Sequence, residues 1–364
     1  MNAGSKNLDC VVVGGGLLGL LTARTLALEG LVVSVLERGS LCSESSWAGG
    51  GILSPLVPWD YPGPVSALVR WSQRAYPRMT AELYDMTGID AEWTRCGLLM
   101  EGVALDQRIA DWAAGNACVV EALDAQSAAR LEPALAGLAG MAIHLPEVAQ
   151  VRNPRLCKAL ARALRMQQVE VREQSPVRRL LVHNRKVTGV ETDAGKLSCD
   201  RVVIASGAWS PQLLPETGKV LPVSPVRGQM ILFQARPGLL HHIVLRDGYY
   251  LIPRRDGLIL AGSTLEHAGF CKDVTEQARQ ELRMAAFRIL PGLAEYPLVK
   301  HWAGLRPGSP QGIPYICEYS EISGLFLNTG HFRNGVVMGP ASAQLLTDCL
   351  LQRESFTDRA PYRL

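Results

Sequence analysis

The chain has 364 residues, 48% of them hydrophobic and 20% charged, which suits about two globular domains and excludes a disordered chain. Its 37 basic residues against 34 acidic ones leave a formal charge of +3, too weak to argue for nucleic acid or an anionic membrane as a partner. Nine scattered cysteines with no C-x-x-C pair suggest neither a disulfide framework nor a zinc site, and reduced thiols point to the cytoplasm.

No leader pattern precedes the first apolar run, where Lys6 is the one basic residue. Cys10 to Val13 reads as a short buried parallel strand. Gly14, Gly16 and Gly19 follow in a G-x-G-x-x-G pattern. Residues 17–29 then read as a helix with Gly30 as its stop; Thr22, Arg24 and Thr25 interrupt its apolar run, which is too short to span a bilayer. A second strand, 31–36, ends in Glu37, 18 residues after Gly19. Each part has a physical role. Gly14 permits the tight turn, Gly16 lets a pyrophosphate approach the backbone, and Gly19 lets the helix pack on the sheet. The helix N-terminus offers unpaired N–H groups to phosphate. A carboxylate at Glu37 accepts hydrogen bonds from ribose hydroxyls and repels a 2′-phosphate. The unit predicts an adenine dinucleotide and leaves NAD or FAD open.

Residues 43–55 are small, polar and glycine-rich. Ser45 and Ser46 could donate to phosphate, and residues 49–51 could lie close to a large cofactor; a flexible loop is the plain alternative. Helical patterns prevail from there to about residue 135, at 65–87 and 106–114, and again at 155–165. Residues 169–172, 177–182 and 201–205 read as strands. The loosely clustered arginines between 162 and 185 read as a solvated face. The segment 206–210 would approach the cofactor from a further strand end. From 226 to 263 the pattern turns antiparallel, with strands at 229–233, 249–252 and 258–261 and a hairpin turn at 255–257. A helix at 276–289, a strand at 324–328 and a helix from about 340 to 351 complete the chain.

Several stretches together carry a family resemblance: the glycine motif with Glu37, Ala48-Gly-Gly-Gly-Ile-Leu53, Ala205-Ser-Gly-Ala-Trp-Ser210, Arg227-Gly-Gln229, Trp302-Ala-Gly-Leu-Arg-Pro-Gly308 and Gly330-His-Phe-Arg-Asn-Gly335. From Val11 to about Leu351 the chain resembles the D-amino-acid oxidase family of FAD-dependent amine oxidoreductases, and within it the glycine oxidase branch. The resemblance implies an α/β fold: a Rossmann-like FAD-binding domain (1–85, 150–220 and 310–364) interleaved with a substrate domain (86–149 and 221–309) built on a mainly antiparallel sheet with helices. It implies non-covalent FAD, because Cys317 does not match the cysteine that carries covalent flavin in sarcosine oxidases.

Carried over residue by residue, the resemblance implies pyrophosphate contacts at Leu17 and Leu18, and ribose and adenine contacts at Glu37 and Arg38. Ser45, Ser46, Gly50, Gly51 and Ile52 match contacts along the phosphates and flavin, and Val177 a backbone clamp on adenine. His331, Phe332, Arg333, Asn334, Gly335, Val336 and Val337 match the loop and helix start under the isoalloxazine ring. Arg306 matches the arginine that grips the substrate carboxylate, Tyr250 a tyrosine that joins it, and Arg333 a second cation near the amino acid. Tyr249 and Tyr250 face opposite sides of a strand, so one alone can reach the pocket. Ile52 and Leu265 stand where methionines can line it. No catalytic acid or base is expected, since a hydride passes to flavin N5.

The implied activity is the oxidation of glycine by oxygen to glyoxylate, ammonia and hydrogen peroxide, serving thiamine thiazole biosynthesis, with sarcosine and small D-amino acids as side substrates. A D-amino-acid or sarcosine oxidase or dehydrogenase, a tRNA-modifying flavoprotein and a non-catalytic flavin module are the alternatives. The family also implies a homo-oligomer, with a tetramer as the guess. No metal, nucleic acid or membrane partner is expected.

Overall fold

Val11, Val12 and Val13 lie in the strand Leu8–Val13, which sits inside a sheet with almost no exposed surface. Its β-branched residues suit a strand covered on both faces. It pairs in parallel with Val33–Leu36 on one side and Gly195–Ile204 on the other. The computed structural model describes residues 8–135, 140–214 and 219–364; the stretch before Leu8 lies outside them. The sheet runs Tyr315–Glu318, Leu325–Thr329, Gly195–Ile204, Leu8–Val13, Val33–Leu36 and Glu170–Arg172. All neighbours are parallel except the first pair. A hairpin of Val177–His183 and Lys186–Thr192 extends from Gly195–Ile204.

The period of two separates the faces. Cys10 and Val12 pack under helices α1 (Leu17–Leu28), α3 (Gly63–Thr87), α6 (Asn153–Met166) and α8 (Gly335–Leu350), whereas Val11 and Val13 meet the hairpin and the buried Tyr319. Between α1 and α3 lies the single-turn α2 (Ser45–Ala48). Helices α4 (Gln107–Asn116) and α5 (Ala125–Leu131) follow α3, each capped by an aspartate, Asp106 or Asp124.

The second sheet runs Leu298–Gly308, Ser224–Gln234, Leu258–Gly262, Tyr249–Pro253, Ile243–Arg246, Leu98–Glu101, Ala142–Leu145 and Glu121–Leu123. It is antiparallel except between Ile243–Arg246 and Leu98–Glu101. Helix α7 (Glu276–Ile289) covers one face, packing Leu282 and Ala286 in the cluster that holds Ile231, Phe233 and Leu251. The opposite face carries Met230, Tyr250 and Ile252. The turn at 255–257 forms as the sequence suggests: Gly257 has φ +86° and a Cβ there would fall 2.5 Å from the Ala235 carbonyl oxygen.

Two readings of local pattern are corrected. The stretch before residue 135 is not uniformly helical: Thr94–Arg95, Leu98–Glu101 and Glu121–Leu123 are strands, defined by partners distant in sequence. The last helix begins at Gly335 rather than near Pro340, which lies inside it. Proline cannot donate to the carbonyl four residues earlier, so a helix interior normally rejects it. Here the Tyr76 hydroxyl donates to that carbonyl, Val336 O, and the Ala341 N–H donates to Ser72 Oγ at 3.0 Å. Side chains of α3 thus take over hydrogen bonding around the proline.

Candidate active site

The glycine turn is built as its chemistry requires. Gly14 has φ +113°, and a Cβ there would lie 2.6 Å from the Ala205 carbonyl oxygen. A Cβ at Gly19 would lie 1.9 Å from the Gly14 oxygen, so only glycine lets α1 sit this close to the turn. At its N-cap, Gly16 supplies no side-chain oxygen, and the Leu17 N–H donates to Ser46 Oγ at 2.8 Å. The helix end is therefore left to a ligand and to a serine that can pass its own proton on. Glu37 accepts the Gly15 N–H at 2.7 Å and the Gly39 N–H at 2.8 Å. These fix the carboxylate while leaving acceptor capacity for ribose hydroxyls.

An elongated cavity of about 270 Å³ runs over this turn. Gly14, Gly16, Leu17 and Leu18 line it at the helix end, and Glu37, Arg38, Val177, Asn328 and His331 line it as well. Ser206, Gly207 and Trp209 wall it from the end of Gly195–Ile204. Ser45 and Ser46 line its floor, and Ser45 also lines a second cavity of about 100 Å³. The two spaces thus meet at α2. Gly50, Gly51, Ile52, Tyr250, Arg306, Arg333, Asn334 and Val336 border the second.

The second cavity holds two arginines, Arg306 and Arg333. Arg306 comes from the strand Leu298–Gly308, where residues 302, 304 and 306 share one face. Trp302 Nε1 donates to the Ala48 carbonyl at 3.0 Å, and a Cβ at Gly304 would lie 2.5 Å from that of Ala48. The strand is therefore docked on α2. Across the pair, Gly228 makes room for the guanidinium: a Cβ there would lie 2.1 Å from Arg306 Nη1. Arg306 donates from Nη1 to the Thr264 and Arg227 carbonyls at 3.1 and 3.4 Å, and from Nη2 to Ser263 Oγ at 2.8 Å. Among the described residues no carboxylate lies within ion-pair distance of it. Burial, and the neighbouring Arg333 charge, hold its pKa below the usual arginine value; the Tyr250 phenol opposes this. A half-buried guanidinium without a carboxylate can take up an anion.

Tyr250 is buried, and among the described residues Met230 Sδ at 3.9 Å is the one hydrogen-bond partner of its hydroxyl. Gly262 clears its path, since a Cβ there would lie 2.8 Å from the hydroxyl. Tyr249 points the other way and donates to Glu281 on α7. Arg333 is exposed at the cavity rim. His331 is 1% exposed, and Nε2 meets Ser342 Oγ at 2.9 Å. That hydroxyl donates to Met338 O, so His331 carries its proton on Nε2. Burial pushes its pKa down to about 3, which leaves it neutral.

Gly19, Phe332, Gly335 and Val337 line neither cavity. Gly19 serves helix packing, the Phe332 ring lies near Gly308 and Gly312, and Val337 is in the core. Leu265 is 46% exposed and lines neither cavity; Met230 is the methionine that does. Cys317 is buried in the sheet away from both. Three contributors escaped the sequence reading. Arg254 is buried and donates to the Gly50 and Val151 carbonyls at 2.7 and 3.0 Å, which fixes the loop beneath the cavity. The Arg227–Glu266 pair supports the segment under Arg306. Tyr61 borders the second cavity. An arginine placed directly after the apolar run 249–253 was the one available signal for Arg254.

The residues present fit FAD. Gly14 and Gly16 clear the turn for a diphosphate, Glu37 awaits ribose, and Asn334 Nδ2 is a buried donor without a partner that borders the second cavity. A flavin carbonyl would satisfy it. Helix α8 begins beside it, so a positive helix end faces the same space.

Comparison with known proteins agrees. A family model described as FAD dependent oxidoreductase matches residues 9–349. The glycine oxidase of Pseudomonas aeruginosa is 47% identical over 353 residues, covering 97% of each chain. The bifunctional protein ThiO/ThiG of Trichormus variabilis is 32% identical over 95% of this chain, which spans 53% of that longer protein. The crystal structure of glycine oxidase from Geobacillus kaustophilus superposes with a TM-score of 0.92 at 30% identity, covering 99% of each chain.

Proposed function

The chain belongs to the DAO family of FAD-dependent oxidoreductases, and from that membership we propose that it is a glycine oxidase, converting glycine, oxygen and water to glyoxylate, ammonia and hydrogen peroxide. The observation that carries the substrate class is Arg306: a guanidinium without a carboxylate partner among the described residues, lining a small cavity that shares Ser45 with the dinucleotide groove. Bound FAD supplies the two-electron acceptor that takes the hydride from the substrate Cα and is reoxidised by oxygen.

The chain's own work is binding and alignment. Arg306 grips the carboxylate, the Tyr250 hydroxyl donates to the same group, and Arg333 adds a second positive charge at the rim. Ile52, Met230 and Tyr250 narrow the space around Cα, which favours glycine and leaves sarcosine and small D-amino acids as side substrates. Among the described residues, the second cavity is lined by no aspartate, glutamate, histidine or lysine. The amine therefore loses its proton to water, helped by two guanidinium charges. His331, neutral and tied to Ser342, packs rather than shuttles protons. Gly14, Gly16, Leu17, Leu18, Glu37, Arg38, Ser45, Ser46, Gly50, Gly51, Ile52 and Val177 hold the dinucleotide, with His331, Arg333, Asn334 and Val336 beside the ring system and Gly19 securing the turn.

The two sheets draw on separate stretches of chain, which supports division into an FAD-binding domain (1–85, 150–220, 310–364) and a substrate domain (86–149, 221–309). Likeness to ThiO/ThiG supports a place in thiamine thiazole formation. We place the enzyme in the cytoplasm as a homo-oligomer; nine free cysteines and the lack, among described residues, of a helix long and apolar enough to cross a membrane are consistent with the location. A substrate panel on the oxygen electrode tests the assignment. Glycine should lead, and a kcat/KM more than about tenfold higher for sarcosine or D-alanine would replace it, since one methyl in an apolar pocket discriminates by about that much.

A further inference from the structure

Residues 263–275 leave the end of the strand Leu258–Gly262 and cross to α7. One arginine stakes the root of this segment. The Arg227 and Glu266 backbones exchange two hydrogen bonds of 2.9 Å, and their side chains form an ion pair. Arg227 Nη1 also donates to the Asp273 carbonyl at 3.0 Å, near the far end. Gln229 completes the root, donating to Glu266 at 2.9 Å and accepting the Thr275 N–H at 3.0 Å.

The outer part of the segment lies elsewhere, against the wall of the dinucleotide cavity. The Phe270 ring sits 5.4 Å from Trp209, and Lys272 Nζ reaches both carboxylate oxygens of Glu44 at 3.0 Å. Trp209 and Glu44 both line that cavity, as does Arg38. Arg38 joins them to each other: its guanidinium lies 3.9 Å over the Trp209 ring and 3.5 Å from Glu44. The five side chains close a ring, Phe270–Trp209–Arg38–Glu44–Lys272. Two members come from the crossing segment and three from the cofactor wall.

Phe270 and Lys272 are substantially exposed, 43% for the whole phenylalanine and 46% for the lysine side chain, so neither is held there by burial in a core. Their contacts make sense as a closure. Glu44 would set a negative charge beside a diphosphate, and Lys272 with Arg38 offsets it. The tryptophan wall is backed on its outer side by the phenylalanine ring.

We propose that residues 263–275 form a clasp that retains FAD, in which Phe270 and Lys272 act as positioning residues holding Trp209, Arg38 and Glu44 along the dinucleotide. The proposal rests on the assignment of the long cavity to FAD, and not on the identity of the amine oxidised.

The experiment follows FAD release from the purified holoenzyme as recovery of flavin fluorescence after dilution, for the parent and for Phe270→Ala, Lys272→Ala and the double variant. The double variant should release FAD roughly tenfold faster, the scale of one aromatic pair plus one partly exposed ion pair. The lysine share should shrink in high salt. Lys272→Glu should release fastest of the single variants, and Glu44→Lys combined with Lys272→Glu should recover part of the loss. Urea unfolding of the apoproteins should be affected much less than FAD release is. Release within twofold of the parent in the double variant would overturn the clasp. So would faster release accompanied by an equal loss of apoprotein stability, which would make the segment a plain structural loop. A parent protein that binds no FAD would instead overturn the cofactor assignment, and is seen at once as a colourless preparation.

Discussion

Substituting Arg306 by alanine perturbs the proposed carboxylate grip most directly. Of the five guanidinium N–H donors, three are shown engaged: Nη1 with the Thr264 and Arg227 carbonyls, and Nη2 with Ser263 Oγ. The Nε–H and one Nη2–H remain, the pair that binds a carboxylate side-on. Two charge-assisted hydrogen bonds at about 1.5–3 kcal/mol each give a ceiling of about 3–6 kcal/mol. Water entering the vacated space and the Arg333 charge at the rim lower this, so the loss should be at least about 2 kcal/mol, or roughly 30-fold in kcat/KM. The assay is oxygen consumption with glycine at saturating FAD, with FAD content checked by absorbance. Arg306→Lys should recover only part of the loss, because it restores the charge without the fork. An alanine variant that binds FAD and keeps kcat/KM within about threefold of the parent would refute the grip.

Gly228→Ala should mimic the loss without touching the arginine itself, since the new methyl would sit 2.1 Å from Arg306 Nη1; we expect at least about a tenfold fall in kcat/KM with FAD retained, the scale of one lost charged hydrogen bond, and normal kinetics would show that the guanidinium lies elsewhere in solution. kcat/KM for glycine should rise with pH as the substrate ammonium loses its proton, because no aspartate, glutamate, histidine or lysine among the described residues lines the second cavity to take that proton; a flat profile from mildly acidic to mildly alkaline pH would reveal an overlooked base. Burial pushes His331 from its ordinary 6.5 down to about 3, so below pH 6.5 the unfolded chain takes up a proton that the folded protein refuses. Its contribution is intact above that pH and is lost as pH falls toward 3, by about 2 kcal/mol at about pH 5. His331→Gln should remove that much of the acid sensitivity in urea unfolding of the apoprotein, and an unchanged pH slope would contradict a neutral buried ring.

What the sequence made legible was local. The strand, glycine turn, helix and Glu37 of the first 37 residues are a contiguous unit whose spacing and side chains carry their own explanation. Helix α7 is equally plain: the sequence places it at 276–289, and the structure agrees. The strand Leu298–Gly308 does not stand out in the sequence, because its partner Ser224–Gln234 lies far back in the chain and its Trp-Ala-Gly-Leu-Arg run does not alternate cleanly. The start of α8 was hidden by Pro340, which is tolerated only because Tyr76 and Ser72, some 260 residues away, take over the hydrogen bonding around it. For the site, Arg306 and Tyr250 were reached by resemblance and by strand alternation. Arg254 and Glu266 were not, since their function is to brace backbone and side chains that only tertiary pairing brings near. Resemblance puts Leu265 at the pocket, whereas it is 46% exposed and Met230, on the strand Ser224–Gln234, lines the second cavity.

The most direct measurement of the central claim is the absorption spectrum of the purified holoenzyme, recorded without oxygen before and after glycine is added. The yellow flavin band should fade with glycine and return on admission of air, with hydrogen peroxide and glyoxylate appearing together. A band that glycine leaves untouched, while sarcosine or D-alanine bleaches it, would contradict glycine as the substrate this cavity is built to hold.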